Sequence, residues 1–102
     1  MATLHTVNKS PYERATLNSC LSHVQDGDSV LLIEDAVLGS RRGGGYAQTL
    51  STACARSNIY VLGPDLEARG IKKADVVEGV SVVDYDGFVA LVEASDRVCG
   101  WL

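Results

Sequence analysis

Ser29-Val30-Leu31-Leu32-Ile33 is the stretch that decides the fold, and the acidic pair Glu34-Asp35 follows it directly. The turn-forming residues Gln25-Asp26-Gly27-Asp28 come just before it. An unbroken apolar run of this length is typical of a strand that is covered on both faces, as in a parallel sheet. We therefore predict a buried strand over residues 29–33 and a mostly parallel sheet around it.

Strand and helix patterns alternate on both sides of this stretch. Further strands are predicted at residues 4–7, 58–62, 80–83 and 98–102. Ser10, Pro11 and Glu13 form a helix-start pattern, and apolar residues follow it at helical spacing. These apolar residues are Leu17, Cys20, Leu21 and Val24. Other helical patterns cover Ala47 to Cys54, Asp65 to Gly70, and the residues after Asp84. The alternation predicts one domain over residues 1–102, a three-layer α/β/α sandwich with about five strands.

Composition limits the kinds of partner that this chain can have. Its 102 residues include nine Lys and Arg against 13 Asp and Glu, which gives a net charge of −4. This balance argues against direct nucleic-acid binding through a broad basic surface. No apolar run approaches the ~18 residues of a membrane span, and the first residues lack the pattern of a signal peptide. We therefore expect a soluble, cytoplasmic protein.

The three cysteines, Cys20, Cys54 and Cys99, are the strongest nucleophiles that the sequence offers. Their odd number and wide spacing argue against a disulfide scaffold. The only histidines are His5 and His23, too few and too scattered for a zinc site, so no metal is expected. Cys20 lies on an apolar helix face, which leaves two alternatives, a buried core residue or an accessible thiol that handles sulfur.

Three other segments have both a functional and a structural interpretation. The segment from Gly39 to Gly45 contains Arg41 and Arg42. One interpretation of this segment is an anion-binding loop. The other is a mobile loop, because the segment lacks a phosphate-loop motif. Asp84 and Asp86 are interpreted as a helix cap and a first-turn charge rather than an acid–base pair. Glu34-Asp35 lies at the expected functional edge of the sheet, where a structural or interface role is favoured.

The two aromatic residues of the chain's end segments have simpler interpretations. His5 is expected to be packed and hydrogen-bonded within the first strand. Trp101 must either pack back on the domain or fill a pocket of a partner. The residues alone therefore supply no complete catalytic constellation.

Several of these segments also match a known family. The most specific are His5-Thr6-Val7-Asn8-Lys9-Ser10-Pro11 at the start and Trp101-Leu102 at the end. The chain resembles the DsrH/TusB family of sulfur-relay proteins, in the DsrE/DsrF/DsrH-like superfamily, nearly from end to end. Cys20 matches a cysteine that the DsrH branch carries in its first helix, so the resemblance is closer to DsrH.

The resemblance implies a subunit of a cytosolic complex that relays sulfur as a protein-bound persulfide, without a cofactor. The main expectation is a DsrH-like subunit in dissimilatory sulfur oxidation, and the alternative is a TusB-like subunit in 2-thiolation of the tRNA wobble uridine. The implied partners are DsrE- and DsrF-like or TusD- and TusC-like subunits in a heterohexamer, and a DsrC- or TusE-like sulfur carrier. The principal sulfur acceptor lies on the DsrE/TusD subunit, so this chain is an auxiliary subunit with Cys20 as a candidate persulfide acceptor.

A third hypothesis is a stand-alone anion-binding module that uses Arg41 and Arg42.

Overall fold

A computed structural model describes residues 2–102, in which strands and helices alternate. The strands are β1 (Thr3–Val7), β2 (Ser29–Leu32), β3 (Asn58–Leu62), β4 (Ser81–Val83) and β5 (Arg97–Trp101). The α-helices are α1 (Thr16–His23), α2 (Ala47–Cys54), α3 (Gly63–Ala68) and α4 (Tyr85–Ala94). Two 3-10 helices cover Glu34–Ser40 and Lys73–Asp75. Each predicted strand is present, and its ends are shifted by at most one residue.

The strands form a single sheet in the order β4-β3-β2-β1-β5, and every neighbouring pair is parallel. The predicted three-layer α/β/α fold with a parallel sheet is therefore confirmed. The path from β1 to β4 moves steadily in one direction, and the connection from β4 to β5 then crosses back over the whole sheet. Because such crossovers are right-handed, α1, α2 and α3 cover one face of the sheet and α4 covers the other.

The face under the first three helices holds the main core. Its members are completely or almost completely buried and include Val7, Leu17, Cys20, Val30, Leu32, Leu50, Ile59, Val61 and Leu66. The alternate strand residues Leu4, Leu31 and Leu62 point to the opposite face and are also buried. Each buried leucine contributes roughly 1.5–3 kcal/mol through the removal of apolar surface from water. The buried strand predicted from residues 29–33 is thus covered on both faces.

The first helix begins later than predicted. The Ser10 hydroxyl accepts a hydrogen bond from the Tyr12 N–H (3.2 Å), and its carbonyl accepts from Glu13 and Arg14. Ser10 therefore caps one isolated turn, and α1 begins only at Thr16. Pro11 anchors this turn, because it lies so close to Gly39 that a Cβ there would be 2.8 Å from the proline ring. The expected capping box is consequently wrong, since the chain leaves the helical path to keep this contact.

The glycine-rich segment is held in place more firmly than its sequence predicts. Gly39 and Ser40 are buried in the last turn of the first 3-10 helix. Arg41 forms an isolated antiparallel bridge with Val76, and the Val77 N–H donates to the Ser40 carbonyl at 2.8 Å. These backbone contacts replace the expected mobile loop with a segment tied to residues 75–77.

Candidate functional site

Cys20 lies in the middle of α1 and its side chain is 0% exposed. It belongs to the main core together with Leu17 and Val24. Burial raises the pKa of the Cys20 thiol to about 12, and the nearby Cys99 and Asp28 act in the same direction. With so high a pKa, the thiol is neutral at pH 7. This environment favours the core interpretation of Cys20, and its role as a persulfide acceptor stays a prediction.

The other two cysteines are half-buried and are also free thiols. Cys54 is the last residue of α2. Its sulfur packs against Gly79, where an added Cβ would lie 3.3 Å from the sulfur. Burial raises the pKa of the Cys54 thiol. Cys99 pairs with His5 across the β1–β5 register. An activated thiol has a lowered pKa, so the burial of Cys20 and Cys54 works against nucleophilic chemistry at these two positions.

A hydrogen-bonded chain joins the half-buried Trp101 to the buried His5 and Asp28. The Trp101 Nε1–H donates to His5 Nδ1 at 3.0 Å, and His5 Nε2 lies 2.9 Å from Asp28 Oδ2. Because an indole N–H can only donate, Nδ1 must accept, and the imidazole proton is therefore on Nε2. His5 then donates that proton to Asp28. The expected packed, hydrogen-bonded histidine is confirmed.

Asp28 is the centre of this network. Besides the bond from His5, its carboxylate accepts from the backbone N–H groups of Thr3 and Gln25, each at 3.0 Å. Burial acts to raise the pKa of Asp28, but the hydrogen bonds from His5, Thr3 and Gln25 outweigh it and hold the pKa below its usual value. The buried carboxylate is thus fully partnered and serves to join β1 to the start of β2.

Trp101 packs back on its own domain. Its ring centroid lies 6.1 Å from that of His5 and 5.4 Å from that of His23 on α1. The indole therefore ties β5 to both β1 and the first helix, which decides between the two interpretations of this residue. The two sequence segments that are most specific to the family, at opposite ends of the chain, thus meet in one contact.

The carboxyl ends of β2 and β3 meet at the sheet edge where a site was expected. Glu34 has a φ of 50°, a left-handed conformation that costs a non-glycine residue roughly 1–2 kcal/mol. The Asp65 carboxylate accepts a hydrogen bond from the Glu34 N–H at 2.6 Å and holds this conformation. Asp35 pairs with Arg69, whose Nη2 lies 2.8 Å from its Oδ1. Glu34-Asp35 thus has the structural role that the sequence favoured.

Two surface clefts lie close to this edge. One, of about 400 Å³, is lined by Gly63, Glu67, Lys73 and Asp84 among others. Asp84 also caps α4 by accepting from the Gly87 N–H at 2.8 Å, which confirms the predicted cap. The second cleft, of about 480 Å³, is lined by several residues that include Arg41, Arg42 and Arg69. The first cleft contains carboxylates and a lysine but no thiol.

Residues 2–102 contain neither a metal-binding cluster nor a membrane-spanning helix. No group of three or more His, Cys, Asp or Glu side chains there is placed to hold a metal ion. No helix in this part of the chain is long and apolar enough to cross a membrane.

Comparisons with known proteins identify the family of this chain. The family model described as "DsrH like protein" matches residues 9–98. This chain belongs to the DsrH-like family. The DsrH-like chain is also 35% identical to "Protein TusB" of Pectobacterium parmentieri and 36% identical to "Protein TusB" of Erwinia tasmaniensis. Each alignment covers 96% of this chain and 99% of the relative. The TusB names support a sulfur-relay subunit, and they favour the TusB-like alternative over the DsrH-like role that we expected from Cys20.

Solved structures confirm the fold of this DsrH-like chain. The ychN protein of E. coli superposes with a TM-score of 0.81 at 20% identity, over 98% of this chain and 99% of its own. MTH1491 of Methanobacterium thermoautotrophicum, a protein of unknown function, gives a TM-score of 0.69 at 17% identity, over 96% of both chains. At these identities the likeness extends to the fold alone.

Sequence reasoning missed two residues that organise the site. Asp28 was assigned only to a turn, and Arg69 only to the end of a short helix. The partners of Asp28 and Arg69 lie 23 and 34 positions away in the chain, at His5 and Asp35. The one available signal was a carboxylate placed directly before a buried strand, which is too common to identify a network.

Proposed function

We propose that this chain is a TusB-like subunit of a cytoplasmic sulfur-relay complex that serves 2-thiolation of the tRNA wobble uridine. The observation that carries the proposal is the similarity to proteins named TusB over nearly the whole of both chains. The proposed partners are TusC- and TusD-like subunits in a heterohexamer and a TusE-like carrier. Sulfur passes when a thiolate attacks the outer sulfur of a persulfide and the thiolate of the donor leaves. The principal acceptor in this proposal is on the TusD-like subunit.

In this proposal the chain has a structural role in the relay, and the exposed apolar surface of α4 supports that role. Tyr85, Val89 and Val92 form one exposed stripe at helical spacing, which we call the α4 stripe. Val89 alone is 54% exposed. Phe88 and Leu91 are half-buried on the same helix. A helix that is apolar on both its inner and its outer side is typical of one that is buried within a larger assembly.

The β5 edge of the sheet is also partly apolar and exposed. Among residues 2–102, β5 pairs only with β1 and is an edge strand, and its Val98 is half-exposed. An edge strand with apolar side chains is a template for pairing with another chain unless something covers it. Burial of the α4 stripe and of β5 against a partner subunit is therefore part of the proposal.

One experiment tests both the reaction and the assembly. The chain is expressed with a tag in a bacterium that lacks its own TusB, and 2-thiouridine in digested tRNA is measured by mass spectrometry. We expect thiolation to be restored and TusC and TusD to co-purify with the tagged chain. Val89→Glu places a charge in the α4 stripe and should abolish both, while it changes the stability of the isolated chain by less than about 0.5 kcal/mol.

Ala55→Glu is the matched control, since Ala55 is exposed at the end of α2 on the opposite face of the sheet. This variant should behave like the wild type in both measurements. Co-purification without restored thiolation would contradict the tRNA role. Restored thiolation by Val89→Glu would contradict the proposed place of the α4 stripe.

Cys20 provides a separate prediction about the chemistry of this chain. The double variant Cys54→Ala with Cys99→Ala, which keeps Cys20 alone, should gain no sulfur from a persulfide donor while folded, because the thiol is neutral and buried. In denaturant the same variant should gain about 32 Da, the mass of one sulfur atom, in intact-mass measurements. An adduct of this mass on the folded double variant, absent when Cys20→Ser is added, would show that Cys20 is a direct acceptor.

A further inference from the structure

Positive charge is concentrated in one region of this acidic chain. Five of its nine Lys and Arg residues lie within residues 41–42 and 69–73, although the net charge is −4. They are Arg41, Arg42, Arg69, Lys72 and Lys73. The region combines the segment after the first 3-10 helix with the segment after α3, which are neighbours only in the folded chain. The proposed relay chemistry does not use this cluster.

The three arginines line the cleft of about 480 Å³. Leu38 and Ile71 contribute apolar wall, and Asp75 contributes the only carboxylate of the lining. The backbone here is fixed, because the Arg42 N–H donates to the Asp75 carbonyl at 2.6 Å and Arg41 is bridged to Val76. A ligand would thus meet arginines whose main chain is already ordered, which lowers the entropic cost of binding.

The three guanidinium groups differ in whether a carboxylate already neutralises their charge. Arg69 is occupied, with Nε and Nη2 both donating to Asp35 Oδ1 at 3.0 and 2.8 Å. The ion pairs found within residues 2–102 involve His5, Arg56 and Arg69, so Arg41 and Arg42 have no carboxylate within 4.0 Å. Two exposed guanidinium groups therefore stand unneutralised at one cleft, with a third fixed beside them.

We propose that this cleft binds a small tetrahedral oxyanion of the phosphate class, held by Arg41 and Arg42 with Arg69 as a fixed positive wall. The planar guanidinium donates paired N–H groups that match the spacing of phosphate oxygens. Asp75 opposes the anion by its own charge and limits its affinity. The site is a property of this subunit and does not depend on the sulfur-relay function.

The test is a titration of the full-length, isotopically labelled chain with inorganic phosphate at constant ionic strength, followed by amide NMR signals. We expect saturable shifts confined to residues 41–44 and 69–76, with a Kd on the order of 1 mM. A parallel titration with AMP distinguishes free from esterified phosphate. A cleft that accepts a phosphoester binds AMP as well as inorganic phosphate, whereas a cleft that accepts only the free anion binds inorganic phosphate alone. Sodium chloride at matched ionic strength should produce no such saturable shifts.

Three variants make the test specific. Arg41→Gln with Arg42→Gln should weaken phosphate binding about ten-fold or more, since it removes both unneutralised guanidinium groups. It keeps the backbone–backbone bonds of the segment and loses only the 3.5 Å bond from Arg42 Nη2 to the Val76 carbonyl. Asp75→Asn should tighten binding about three-fold by removing the opposing charge. Arg56→Gln is the matched control, because Arg56 is exposed and paired with Asp26 outside the cleft. The proposal fails if phosphate does not saturate, or if Arg56→Gln weakens binding as much as the double variant.

Discussion

Replacement of Asp28 by alanine is expected to lower the free energy of unfolding by about 3–5 kcal/mol. The side chain is buried, and it accepts hydrogen bonds from His5 and from the N–H groups of Thr3 and Gln25. Its loss leaves the buried His5 Nε2–H and two partly buried backbone N–H groups without an acceptor, and each donor that water does not reach costs roughly 1–3 kcal/mol. Urea unfolding followed by circular dichroism measures the change.

Asp26→Ala is the matched control for this prediction. Asp26 lies two positions earlier, its side chain is 84% exposed, and it makes a surface pair with Arg56 at 3.5 Å. Exposed pairs of this kind contribute at most about 1 kcal/mol, so this variant should unfold close to the wild type. Equal losses in the two variants would contradict the assignment of Asp28 as the centre of the buried network.

The same network predicts how stability depends on pH. The pKa of Asp28 is lower in the folded chain than its ordinary value of 3.8, so the unfolded chain binds the proton more readily. The stabilisation is therefore complete above about pH 4 and is lost as the pH falls through the folded pKa. Asp28→Asn should show a weaker loss of stability over this acidic range. An unchanged acid dependence in Asp28→Asn would show that other carboxylates dominate.

Replacement of Trp101 by alanine should cost about 2–4 kcal/mol of unfolding free energy. The half-buried indole packs against the core, contacts the rings of His5 and His23, and supplies the donor to His5 Nδ1. Alanine removes the aromatic surface that joins β5 to α1 and also leaves the imidazole nitrogen without its donor. Because Trp101 is the only tryptophan, the variant is followed by circular dichroism rather than fluorescence.

Trp101→Phe separates the two contributions of the indole. Phenylalanine keeps much of the ring packing but cannot donate to His5, so it should cost about 1–2 kcal/mol. Leu102→Ala is the matched control, since Leu102 is 89% exposed and should change stability by less than about 0.5 kcal/mol. If Trp101→Phe equals the wild type, the hydrogen bond contributes nothing and only packing holds β5.

The sheet was predictable because its determinants are local. The apolar run at residues 29–33 and the alternation of strand and helix patterns identify a parallel sheet without knowledge of any distant contact. The burial of Cys20 follows from the same kind of periodicity along α1. His5 was assigned correctly to a packed position because a lone histidine within an apolar strand needs a partner there.

The rest depends on contacts between residues that are far apart in the chain. Trp101 reaches His5 across 96 positions, and no local pattern encodes that hydrogen bond. The arginine cleft likewise forms only when the segment after α3 returns beside Arg41. The start of α1 was misplaced because Pro11 packs against Gly39, a tertiary contact that overrides the local cap signal.

The position of β5 beside β1 has a consequence for how this domain opens. Every other strand lies within the run β4-β3-β2-β1, whereas β5 is attached at one edge by a pairing that closes a very long loop. Loss of this pairing, together with the Trp101 contacts to His5 and His23, leaves the other strands of the sheet paired, so β5 can detach as a separate unit. Its amide protons should therefore exchange with solvent deuterium faster than those of β2. Binding of a partner to this edge would slow that exchange, so the exchange rate of the β5 amide protons measures assembly.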